Sequence, residues 1–272
     1  MNKLPIAVIV PHAGLIVPPE VADVVSLTAD QIFNEADAYA DQLFDFRERV
    51  QHWLTFPVAR AVVDVNRPDD PALTRPGDGV VKWQTSYGTA VYLPHQRPNS
   101  ALERQLVAAY WWPWHDQLAA IAADQQVKLV IDAHSMAAIG PSQYDDPGVL
   151  RPRVSVSNLG DAAGEAAGKR PLSAASDFTR RFARLLAEAF AHLPELTATG
   201  APSAINMPFW GGWDLLAHGP SARQPWVMIE VNRGLYVGAQ DGDTPVVPPN
   251  DERITAVRAA LWQAIERLAI GD

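Results

Sequence analysis

The chain contains no cysteine, so disulfide staples and thiolate metal sites are excluded, and any metal must be held by histidine and carboxylate side chains. Nowhere does an uninterrupted apolar run approach the ~20 residues that a membrane-spanning helix requires. The run IAVIV near the amino terminus is too short for a signal sequence and reads as a first strand. Positive charge is scarce: 22 Lys and Arg against 31 Asp and Glu give a net charge of -9, which removes the basic footprint of a nucleic-acid binder. Internal repeats, coiled-coil heptads and linkers are also missing. Together these absences predict a cytoplasmic protein with no nucleic-acid or membrane partner.

What is present is ordinary globular material, with 48% hydrophobic residues over 272 positions, enough for one large core. Helical spacing runs from Ile32 to Phe44, from Ser100 to Gln125 and from Phe178 to Phe190, with Ser176 as the expected cap of the last. Pro113 inside YWWPWH is expected to kink or split the second helix, giving two helical pieces. A final helix starts near Asn250 and buries Ile254, Val257, Leu261, Ile265 and Leu268. Strands alternate with these helices, which predicts a three-layer αβα fold of the α/β class. Residues 1–272 form a single domain around a mixed, largely parallel sheet. The segment GDAAGEAAGKRP at 160–171 reads as flexible, a candidate lid.

Four segments share one grammar, an apolar run ending in residues able to hold a metal or move a proton. They are IAVIV with Pro11-His12, AVVDV with Asn66-Arg67, LVID with Ala133-His134-Ser135, and VMI with Glu230-Val231-Asn232-Arg233. Short apolar runs mark buried parallel strands, and α/β sheets bind ligands in the crevice outside the carboxyl ends of their strands. His12, Asn66, Arg67, His134 and Glu230 are therefore expected around one crevice. A lone strand-end histidine is as often a packed or capping residue, but two beside a carboxylate and arginines point to metal-assisted hydrolysis of an anionic substrate.

A hydrolytic zinc site uses three protein ligands and leaves one position for water. His12 and His134 are the first two, and Asp132, on the same side of its strand as His134, can orient a ligand from behind. Glu230 lies in an apolar strand, where an ionised carboxylate is costly unless paired or functional; it is either the general base or the partner of an arginine such as Arg233. Arg60, Arg67 and Arg233 suit a carboxylate-bearing substrate because guanidinium forks bind carboxylates bidentately. Tyr110, Trp111, Trp112 and Trp114 fit core packing, and His52, His95, His115, His192 and His218 show no partner pattern. The glycines in Phe209-Trp210-Gly211-Gly212-Trp213 suggest a loop whose backbone approaches something closely.

Pro11-His12-Ala13-Gly14, Glu35-Ala36-Asp37, Arg60 with Asp64-Val65-Asn66-Arg67-Pro68, Asp132-Ala133-His134-Ser135-Met136, Asn206-Met207-Pro208-Phe209 and Glu230-Val231-Asn232-Arg233-Gly234-Leu235-Tyr236 follow one another in an order that resembles the N-formylglutamate amidohydrolase family. The resemblance covers nearly the whole chain. It implies a zinc-carboxypeptidase-like (phosphorylase/hydrolase-like) fold and one zinc ion on His12, His134 and an acidic third ligand, assigned to Asp37 with Glu35 as the alternative. Where relatives read Asp-Thr-Asp-Trp, this chain reads Glu35-Ala36-Asp37-Ala38. By the same similarity Glu230 is the catalytic base, Arg60 stabilises the oxyanion, and Asn66 and Arg67 hold the substrate carboxylate. Arg233 grips a second carboxylate or buttresses Glu230. The implied reaction releases formate from N-formyl-L-glutamate, a step of histidine degradation. The alternative is a deacylase or carboxypeptidase acting on another N-acyl amino acid or small peptide. The expected partner is a small anionic molecule, and the expected assembly a monomer or small homo-oligomer.

Overall fold

The computed structural model describes residues 3–270; the outermost positions of the expected 1–272 domain lie outside the described residues. The chain opens on β1 (Leu4–Val10), whose LPIAVIV sequence is apolar on both faces, as a strand covered by helices on both sides requires. It is flanked by β2 (Val50–Thr55) and β3 (Leu129–Met136), both parallel to it. Beyond β3 come β6 (Trp226–Asn232), parallel, then β4 (Val154–Ser157), antiparallel to β6, and β5 (Ala204–Ile205). Among the described residues these make one sheet, ordered β2-β1-β3-β6-β4-β5. The expected mixed, largely parallel sheet is the one observed.

Alternation along the strands feeds two cores. Ile6, Val8, Val10, Ile131, Ala133, Ile229 and Val231 face α2 (Ala40–Leu43), α5 (Ser176–Phe190) and α7 (Asp251–Ile270). Ala7, Ile9, Val130, Trp226 and Met228 face the other side. There they meet a long helical segment built from α3 (Ser100–Leu106), a π-helical turn (Val107–Trp111) and α4 (Trp112–Ala123), together with α6 (Trp213–His218). Phe182, Leu186, Leu261 and Ile265 in one layer and Leu118 in the other are completely buried. Burying each such side chain contributes about 1.5–3 kcal/mol, which is what holds the three layers together.

Four local expectations are corrected. The helix predicted from Ile32 to Phe44 is interrupted: α1 (Ala29–Glu35), capped by a Thr28/Gln31 capping box, ends at extended Ala36. The backbone N–H of Asp37 then donates to the carbonyl of His12 at 2.9 Å, so a tertiary bond replaces the next helical turn. The AVVDV run is not a strand. Val62, Val63 and Val65 are fully buried, but they lie in a turn-rich stretch touched only by an isolated bridge from Val63 to Val81, so their apolar character records burial without extension. Pro113 does not split its helix. It lies in the first turn of α4, directly after the π-helical turn, where the missing N–H costs least. Ser176 is the first residue of α5 and Ala175 its cap.

Candidate active site

β1, β3 and β6 end at the same edge of the sheet, and the residues at their ends surround a cavity of about 780 Å³. His12, Asp37, Arg60, Asn66, Arg67, His134, Glu230 and Arg233 all line it, and so does Glu35. His134 lies in β3 directly opposite Glu230 of β6, so the pleat turns both side chains to one face. Asp132 shares that face, two residues earlier.

His12, Asp37 and His134 form a buried group whose ligand atoms lie within 4.8 Å of one another. Asp37 Oδ2 is 3.0 Å from His134 Nδ1 and 3.8 Å from His12 Nδ1, and it accepts the backbone N–H of Ser135 at 3.0 Å. The far side of each ring is occupied by another carboxylate: His12 Nε2 pairs with Asp64 Oδ1 at 2.8 Å, and His134 Nε2 lies 2.9 Å from Asp132 Oδ1. Carboxylates behind imidazoles fix tautomer and ring orientation in metal centres.

The residues fit a divalent cation on their own chemistry. His12 Nδ1 is buried with no hydrogen-bond partner, an orphaned lone pair that a cation would satisfy. Burial pushes the His12 pKa down to about 4, reinforced by Arg60, so the ring is neutral and able to ligate at pH 7. Burial acts to raise Asp37, but hydrogen bonding to His134 and the nearby positive charges bring it down to about 2, so it is anionic. Burial disfavours charging His134, yet Asp132 and Asp37 hold its pKa well above the usual value; these surroundings favour positive charge at this point.

Glu35, the alternative ligand, is held elsewhere. Its Oε2 accepts from the Ser86 N–H at 2.8 Å and hydroxyl at 2.6 Å, and Lys82 Nζ lies 3.8 Å from Oε1. The metal-type group among the described residues contains Asp37 and not Glu35.

Glu230 is 6% exposed, and its Oε2 has no partner. Burial raises its pKa to about 7, although His134, Arg151 and Arg60 pull the other way. A carboxyl poised near neutrality can take and return a proton under working conditions. Arg60 Nη2 pairs with Asp64 Oδ2 at 2.9 Å while its Nε stays unpartnered. Arg67 reaches Asp78 Oδ1 through Nε at 3.2 Å. Arg233 donates through Nη1 to the carbonyls of Asn34 and Ala36, at 3.1 and 2.8 Å, bracing the turn that carries Asp37.

Two residues that sequence reasoning passed over organise this site. Asp64 receives His12, Arg60 and the backbone N–H of Asn66 at once. An acidic residue inside the apolar AVVDV run was the signal. Arg151, 2% exposed and forked onto Asp146 at 2.8 Å through both Nε and Nη2, lines the cavity without any motif to betray it.

Among solved structures, an N-formylglutamate amidohydrolase from Ralstonia eutropha superposes with a TM-score of 0.71 at 19% identity, over 98% of this chain and 94% of the other. A gene product of Agrobacterium tumefaciens gives 0.60 at 17% identity, over 99% and 93%. At such identities the likeness shows a common fold. No curated protein matches the chain in sequence. Residues 4–237, however, match the sequence pattern described as N-formylglutamate amidohydrolase. The chain belongs to the N-formylglutamate amidohydrolase family.

Proposed function

We propose that this protein is a zinc-dependent amidohydrolase that releases formate from N-formyl-L-glutamate. The observation that carries the reading is the buried His12–Asp37–His134 group with Glu230 opposite His134 in the neighbouring strand. It is joined by the family to which the chain belongs.

His12 Nδ1, Asp37 Oδ2 and His134 Nδ1 would hold the ion. A zinc ion there supplies Lewis-acid activation of water and of the scissile carbonyl. Glu230 takes the proton of the attacking water on Oε2, its unpartnered oxygen, and delivers it to the leaving nitrogen. Arg60 stabilises the negative charge that develops on the formyl oxygen. Asn66 and Arg67 fix the amino-acid carboxylate, which sets the amide where Glu230 can reach it. Arg233 shapes the site through the Asp37 turn and presents its remaining edge to the cavity, where a second carboxylate can dock.

The test is metal content by mass spectrometry, paired with formate release from N-formyl-L-glutamate before and after chelation. About one zinc per chain with chelator-sensitive formate release is the expected result; a metal-free chain that still releases formate overturns zinc dependence. A second reading is favoured by the cavity, whose volume of about 780 Å³ exceeds what a substrate of about twelve heavy atoms fills. In that reading the chain deacylates a bulkier N-acyl amino acid or small peptide, and acetyl, benzoyl and peptidyl glutamates compared with the formyl compound decide between the two.

A further inference from the structure

The turn Val65-Asn66-Arg67 is gripped by a single helical segment. Trp111 Nε1 donates to the carbonyl of Arg67 at 2.8 Å. His115 Nε2 lies 2.9 Å from the carbonyl of Val65, and since a carbonyl only accepts, this nitrogen carries the hydrogen. Burial lowers the pKa of both His115, to about 4, and His218, so with His115 neutral its Nδ1 is the acceptor for the N–H on His218 Nε2 at 2.9 Å. Trp114 Nε1 donates to Asp214 Oδ2 at 3.1 Å, and the backbone N–H of Asp214 donates to Asn66 Oδ1 at 2.8 Å. That last bond turns the Asn66 amide nitrogen toward His134, 3.2 Å away.

Trp111, Trp114 and His115 are all at least 95% buried, and the Trp111 ring lies 3.8 Å from the His115 ring. Packing alone would place three apolar rings here. Instead the indole and imidazole N–H groups are aimed at polar atoms of one turn or its immediate partner. The segment reaches them by a π-helical turn ending at Trp111, a rare conformation that recurs at functional sites.

We propose that this π-bulged helix is the positioning element of the substrate-carboxylate grip, with Trp111 and His115 as positioning residues that hold the carbonyls on either side of Asn66. They touch no reacting atom. They set where Asn66 and Arg67 present their donors. The inference rests on the reading that Asn66 and Arg67 bind the carboxylate. It adds that the precision of this binding comes from YWWPWH.

The experiment compares Trp111→Phe, His115→Leu, His115→Gln and Arg67→Ala with the parent, each loaded with metal. It measures KM and kcat for N-formyl-L-glutamate, its Kd by calorimetry, and Tm. Trp111→Phe keeps the ring contact and removes only the N–H, so it carries the test. Its KM and Kd rise about tenfold while kcat changes by less than about threefold, the pattern of a displaced binding group. His115→Leu behaves alike, and His115→Gln, whose amide nitrogen can stand in for Nε2, restores most of the affinity. A merely structural role would lower Tm and the active fraction and leave KM unchanged. Parental KM and Kd in Trp111→Phe beside raised values in Arg67→Ala overturn the inference alone. Parental values in Arg67→Ala, or no binding of N-formyl-L-glutamate by the parent, overturn the carboxylate reading and the inference with it.

Discussion

His134 and Glu230 are register partners in adjacent parallel strands, so the candidate metal ligand and the candidate base are held by two hydrogen-bonded strands in the middle of the sheet. Neither depends on a loop for its place. The geometry explains how Glu230 can be buried beside an imidazole without a partner of its own on Oε2.

Replacing Glu230 with glutamine keeps the shape and removes the basic oxygen. Glu230→Gln should lower kcat/KM by about 10²–10⁴-fold, the usual contribution of a general base, with bound zinc unchanged. Near-parental turnover would remove Glu230 from the mechanism.

The parent should also show an acid limb. The carboxyl is raised to about 7 and must be ionised to accept a proton, so activity falls as pH drops through and below 7. A bound cation nearby favours the carboxylate and moves this limb lower, never higher. A rate that rises on acidification contradicts the assignment.

Asp37 and Glu35 separate cleanly. Asp37→Ala removes the central oxygen of the His12–Asp37–His134 group and should abolish stable zinc binding. Glu35→Gln keeps the bonds from Ser86 and should retain a full complement of zinc. Metal analysis of the two proteins decides, and the reverse pattern would make Glu35 the ligand.

Much of this was legible in the chain. Strand-end chemistry placed His12, His134 and Glu230 around one cavity because β1, β3 and β6 are ordinary buried strands, where composition and conformation agree. The Asn66-Arg67 turn reaches the same cavity by another route, since burial can be read from valines but the choice between strand and turn depends on distant partners. Asp37 was reached through the family resemblance alone, since its position outside a helix was hidden for a similar reason. Its helix stops where a single backbone bond to His12 outweighs local propensity. The grip of Trp111 and His115 was invisible because helical spacing reports which side chains turn inward and not what their N–H groups meet.

Acid should destabilise the folded chain through its neutral histidines. His12 and His115 are both lowered, chiefly by burial, from 6.5 to about 4. Below pH 6.5 the unfolded chain takes up protons that the folded one refuses, so stability is full above 6.5 and is lost progressively toward pH 4. Each contributes at most about 3 kcal/mol over that window. His134, Glu230 and Asp214, all raised, oppose this trend, because the folded chain takes up their protons before the unfolded one does. The His115 contribution is therefore read as a difference: on metal-free protein, acidification from pH 7 to 4.5 should lower the Tm of the parent relative to that of His115→Gln, and parallel profiles would contradict the neutral state of His115.

Gly212 offers the sharpest steric test. The FWGGW loop comes so close to Asn66 that a Cβ on Gly212 would sit 2.3 Å from Asn66 Nδ2 and 2.4 Å from Oδ1. Real side chains do not tolerate such approaches, so one of the two must move. The Asn66 amide is held by the Asp214 N–H, and Asp214 begins two residues after Gly212, so the added methyl pushes against the bond that orients Asn66. Gly212→Ala should therefore raise KM for N-formyl-L-glutamate by about 10–100-fold while zinc content stays near one per chain, since His12, Asp37 and His134 lie on other elements. Combining it with Asn66→Ala makes the argument exact. With the Asn66 amide gone, the methyl has room, and Gly212→Ala should add little to the loss already caused by Asn66→Ala. Additive losses would mean that Gly212 acts on something other than Asn66.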